Sequence, residues 1–150
     1  MKPYLHLSLL ILVLLGFIAC EKKSDELPFP VIPSLQLLEV SQSEVVEFQD
    51  TLEFLLFYQD GDGDLGNFDP DIPGLIVKDE RLSEPDSFHL QPLAPAGVTV
   101  PIQGELRVRL PQLFLLGNGN SETTRFKIKL LDRAGNESNE VQTTPIKIIR

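Results

Sequence analysis

A side-chain period of two restricts this chain more than any other feature. It recurs from residue 34 onward, and nowhere does an amphipathic run of ten or more residues carry a period of 3.6. The clearest case is Thr51 to Gln59, TLEFLLFYQ, in which Leu52, Phe54, Leu56 and Tyr58 share one face. Leu55 and Phe57 make the other face partly apolar, as expected of a strand inside a sheet. Gly104 to Leu110 sets Leu106, Val108 and Leu110 against Arg107 and Arg109. Thr124 to Leu131 sets Phe126, Ile128 and Leu130 against Arg125, Lys127 and Lys129. Leu35, Leu37, Val45, Val46 and Phe48 predict a broken first strand around the polar SQSE. Further strands are predicted over 74–81, over 88–93 (weakened by Pro92) and over 142–149. Leu113 to Leu116 offers a short helical turn at most. About seven short strands separated by turn residues predict an all-β antiparallel sandwich over residues 34–150. Phe54, Leu56, Leu106, Val108, Phe126 and Ile128 should face one another in its core.

The second constraint is chemical. Tyr58 to Asp71, YQDGDGDLGNFDPD, holds five aspartates, Asp60, Asp62, Asp64, Asp69 and Asp71, and no Lys or Arg. The first three alternate with Gly61 and Gly63, which puts hard oxygen ligands at every second position of a flexible backbone. The D-x-D-x-D start matches that of an EF-hand loop, but the remainder departs from it. Leu65 stands where that loop needs Gly, Asp71 replaces the closing Glu, and the flanks are strands. Asp-Gly pairs also make turns without any ion. In a sandwich of this type the loop before the last strand reaches the same end, which would bring Asp132 and Asn136 to Asp60, Asp62 and Asp64. Arg133 would then either accompany an ion or replace it as a salt-bridge partner.

Charge and residue inventory exclude several functions. The formal net charge is −9, which opposes nucleic-acid binding. Residues 21–100 hold 17 acids and 4 bases, whereas 101–150 hold 5 acids and 8 bases, so the acidity belongs to the front half. Beyond residue 20 the chain has one histidine, His89, no cysteine and no Trp. No G-x-S-x-G elbow, H-E-x-x-H pair or phosphate-cradling Gly loop occurs. His89 alternates with Phe88 and Leu90 as an outward strand residue, and the expectation is a non-enzyme with no required cofactor.

The N-terminal segment indicates destination. Met1 to Cys20, MKPYLHLSLLILVLLGFIAC, has Lys2 near its start and an almost wholly apolar run from Leu7 to Ala19. Thirteen residues are too few for a spanning helix, which needs about 20, but suit the core of a signal peptide. Its end, Phe17-Ile18-Ala19-Cys20, resembles the lipobox of bacterial lipoproteins, with Phe17 where Leu is usual. That resemblance implies cleavage before Cys20, lipidation of its thiol and an outer-membrane location. Residues 21–33, EKKSDELPFPVIP, follow as a charged and Pro-rich tether. The acidic start of that tether is similar to the export tags of surface-displayed lipoproteins in Gram-negative bacteria.

A second resemblance concerns the domain. FKIKLLDRAGNESNEVQTTPIKI looks like the last hairpin of bacterial immunoglobulin-like and fibronectin type III-like domains, and LEFLLFYQDGDGDLG looks like their second strand and following loop. Residues 82–103 match no such pattern. The resemblance implies an Ig-like sandwich at the cell envelope. Two functional expectations result: a lipid-anchored, non-catalytic module with a structural or partner-binding role, or a calcium-dependent binder of an extracellular protein or glycan that uses the acidic loop.

Overall fold

The alternation of residues 51–59 becomes a central strand. In the computed structural model, which describes residues 27–150 apart from Ala96, β3 (Leu52–Asp60) is hydrogen-bonded on both sides. Its antiparallel neighbours are β1 (Ser34–Val40) and β6 (Ile102–Leu110). The signal segment, Cys20 and residues 21–26 of the tether lie outside the described residues. A second sheet runs β5 (Asp86–Phe88), β4 (Leu75–Asp79), β8 (Phe126–Leu130), β9 (Val141–Gln142), all antiparallel. A third, smaller sheet places β10 (Ile146–Ile149) between β2 (Glu44–Val46), in parallel, and β7 (Ser121–Thr124), antiparallel. The described chain is thus all-β, with ten strands in three mostly antiparallel sheets and no helix.

The core forms where the inward faces of these sheets meet. Leu52, Phe54 and Leu56 of β3 and Phe126, Ile128 and Leu130 of β8 are essentially inaccessible to solvent. The Phe54 and Phe126 rings, one from each larger sheet, tilt against each other at 5.5 Å. Of the six core residues expected from sequence, five are buried, and Leu106 is half-buried against the same cluster. Arg107 and Arg109 point outward and share Glu53 on the neighbouring strand. Asn139 joins β1 to the return limb of the last hairpin, accepting from Leu35 N and donating to Leu35 O at 2.8 Å each.

Three expected strands each prove to be two. The predicted broken first strand divides into β1 and β2, which enter different sheets, and Phe48 lies beyond both, exposed, with φ of 59°. The run 124–131 changes sheets at Arg125, between β7 and β8. The run 142–149 changes at the Pro145 boundary, between β9 and β10. The strand expected over 88–93 is displaced to Asp86–Phe88, because residues 89–93 leave the sheet to cross the acidic end of the molecule. Leu113 to Leu116 is extended: Leu113 and Leu115 are buried, and Phe114 and Leu116 are exposed.

Candidate metal centre

The phase of β3 decides where the first carboxylate goes. Counting inward from Leu52, the fifth inward position is Asp60, which is fully buried. The strand ends there, and the backbone doubles back through Gly61 to Gly66. Gly63 has φ of 73°, and a Cβ on it would lie 2.2 Å from the carbonyl oxygen of Val100, so no other residue fits without moving that segment. With Gly at 61 and 63, the carboxylates of Asp62 and Asp64 turn back towards Asp60. One oxygen from each of the three lies within 4.8 Å of the other two.

Two of the three carboxylates have one oxygen engaged. Asp60 Oδ2 accepts from Leu65 N at 3.1 Å, and Asp64 Oδ2 accepts from Ala134 N at 3.0 Å. Among the described residues, Oδ1 of Asp60, of Asp62 and of Asp64 are each buried without a hydrogen-bond partner. Among the described residues no basic side chain forms an ion pair with any of the three. Burial, together with the neighbouring Asp62 and Asp64, pushes the Asp60 carboxyl up to about 6 despite the bond from Leu65 N. Burial also raises Asp64, and the charges of Asp132 and Asp62 add to it.

The other residues expected at this site are placed differently. The hairpin 131–137 does reach the acidic end: Leu65 and Asp132 form an isolated bridge, and Arg133 N donates to Asp64 O at 3.2 Å. Yet the Asp132 carboxylate is taken by its own turn, accepting from Asn136 N and Asn136 Nδ2 at 2.7 Å each. Asp132 therefore contributes charge to the cluster and no free oxygen. Arg133 forms no ion pair with the acids, although its charge partly offsets the upward push on Asp64. It donates to Gly66 O at 2.9 Å, with its guanidinium 5.9 Å from the centroid of Phe68. Asp69 and Asp71 are exposed, and the Asn67 and Asp69 side chains cap successive turns, Asp69 N donating to Asn67 Oδ1 and Asp71 N to Asp69 Oδ1. They lie outside the group formed by Asp60, Asp62 and Asp64. No family model, curated protein or solved structure matches this chain.

Two segments of the site were not foreseen. Residues 90–95 and 97–100 pass over the acidic loop, with Val100 N donating to Asp62 O, Leu93 N to Leu65 O and Asn67 N to Leu90 O. The end of the tether passes over it as well, with Gly61 N donating to Pro30 O at 2.9 Å. Both contacts run through backbone atoms, which leave no signature in residue type. The one hint was compositional: LPFPVIP is too apolar for a purely solvated spacer.

Chemically, the arrangement suits a hard divalent cation. Three carboxylate oxygens with no His or Cys disfavour the softer transition metals. Oxygens on opposite sides of a calcium ion are about 4.6–5.2 Å apart, given ligand distances of 2.3–2.6 Å. The spacing here falls within that reach.

Proposed function

We propose that this protein is a lipid-anchored, non-catalytic module of the cell envelope, with an Ig-like sandwich that binds calcium at its acidic end. The ion reading rests on one observation: three carboxylates, each with an Oδ1 buried without a hydrogen-bond partner, bring one oxygen apiece within 4.8 Å of one another and form no ion pair with a described basic side chain. Leaving such groups unmatched costs several kcal/mol, and a cation offsets that cost at all three oxygens together. The Ig-like reading is supported by the packed sheets and by the final hairpin that returns to the loop after β3. The anchor reading is supported by the sequence ending at Cys20. A partner-binding role is favoured by a second observation at the far end. There Phe48 and Phe114 stack in the open, 6.0 Å apart and nearly parallel, beside exposed Leu116.

Thermal melts of the full chain in detergent test the ion reading. With about 1 mM calcium and a dissociation constant of about 0.1 mM, linkage adds roughly 1.4 kcal/mol, which raises the melting temperature by a few degrees. The shift should vanish with chelator and in the Asp62→Ala, Asp64→Ala double variant. Absence of any shift at several millimolar calcium would reduce the acidic loop to a turn. Cys20→Ser should release the protein from membranes without unfolding it. Retention in the membrane fraction would point to an uncleaved hydrophobic anchor instead.

A further inference from the structure

The feature that the ion alone does not explain is the tether. Residues up to 33 read as a solvated spacer, yet Phe29 is half-buried, Pro33 is buried and Pro30 O accepts from Gly61 N. Gly61 stands between Asp60 and Asp62, and a Cβ there would lie 2.3 Å from Phe29 O and 2.7 Å from Pro30 O. The tether therefore touches the acidic loop at a point with no room for a side chain, where the residues on either side carry two of the three converging carboxylates.

We infer that cation binding at Asp60, Asp62 and Asp64 latches the Pro-rich tether onto the domain, so that calcium sets how far the domain stands from its anchor. This rests on the calcium reading above. Without a cation the three carboxylates repel one another across a loop built on glycines, and the Gly61 amide moves with them. With a cation the loop is held in the one shape that presents Gly61 N to Pro30 O. The tether is thereby docked by the same event that fills the site. Thirteen free residues reach about 40 Å in polyproline form, and the eight that precede Phe29 reach about 25 Å. The latch shortens the leash by roughly a third.

Coupling of this kind is reciprocal: if calcium favours the docked tether, the docked tether must favour calcium by the same factor. Pro28→Gly with Pro30→Gly keeps the accepting carbonyl but makes ordering the segment more costly. The experiment is calorimetric titration of calcium into the full chain in detergent, parent against this double variant. Hydrogen exchange at the Gly61 amide is followed with calcium and with chelator. The expected results are about threefold to tenfold weaker calcium binding by the variant and at least tenfold slower Gly61 exchange in calcium for the parent. Equal affinities, or Gly61 exchange indifferent to calcium, would overturn the latch while leaving the ion site standing. No calcium binding by the parent would overturn both.

Discussion

Two buried aspartates end two strands at opposite poles of this molecule, and they are treated in opposite ways. Asp79 closes β4 and is 5% exposed, and Asp60 closes β3 at 0%. Around Asp79 the chain supplies every partner. Arg81 donates through Nη2 at 2.6 Å and through Nε and its own backbone N, and Thr124 Oγ1 donates at 2.5 Å. Arg81 in turn donates to Glu122 at 2.7 Å. Burial pushes the Asp79 carboxyl up, but the bonds from Arg81 and Thr124 outweigh it and hold the group below its ordinary range. Around Asp60 the chain supplies one backbone amide and two further carboxylates. Equal burial thus gives a self-sufficient ion pair at one pole and an incomplete site at the other. Under the proposed function, a cation from outside the chain completes the second.

The largest effect that tests this contrast is expected at the complete pole. Arg81→Ala should cost about 3–5 kcal/mol, because it strands a buried carboxylate, and denaturant unfolding should show the same loss with calcium or chelator. A calcium-dependent loss would mean that the poles are not independent.

The pH dependence should separate the poles next. Because the folded-state value of Asp60 lies above its ordinary 3.8, the folded chain holds the extra proton between pH 4 and 6. Stability in chelator should therefore fall as pH rises through that window, by roughly 3 kcal/mol at most. The contribution of Asp79 has the opposite sign: it is present above 3.8 and is lost as pH falls through the lowered folded value. Unfolding curves in chelator should accordingly peak near pH 4 to 5, and calcium should remove the decline towards neutrality. A decline unaltered by calcium would detach the Asp60 proton from the ion site.

A smaller change in free energy, but a sharper one in sign, is expected for Asp60→Asn. In chelator at pH 7 the variant should equal or exceed the parent. In millimolar calcium it should fall short by about 1.4 kcal/mol, the linkage it has lost. The smallest effect belongs to the solvent face, where Arg107→Ala should stay within about 0.5 kcal/mol. A larger cost there would contradict the strand phase from which the inward position of Asp60 follows.

Sequence periodicity located Asp60 well, because a period of two fixes which residues point inward whatever the partner strand. For the same reason it concealed the changes of sheet. Thr124 and Phe126 are both buried and two apart, so the alternation continues unbroken across Arg125 while the hydrogen-bond partner changes from β10 to β4. The approach of the last hairpin to the acidic loop was legible from topology. The loss of Asp132 as a ligand was not, because a local bond four residues away took its carboxylate before a distant site could use it. Residues 90–95 and 97–100 remained opaque since their contacts to Asp62 and Leu65 run through main-chain groups.

The placement of β2 bears on the order in which the molecule assembles. Among the described residues this three-residue strand finds its ladder partner only in β10, with Glu44 opposite Lys147 and their side chains joined at 2.8 Å. A hundred residues must be made before β2 has anything to pair with, and the small sheet cannot close until residues 146–149 arrive to fill its middle position. Contacts so distant in sequence slow folding, and a nascent chain emerging residue by residue would carry β2 unpaired throughout. Of the three sheets, the small one is therefore the last that can close.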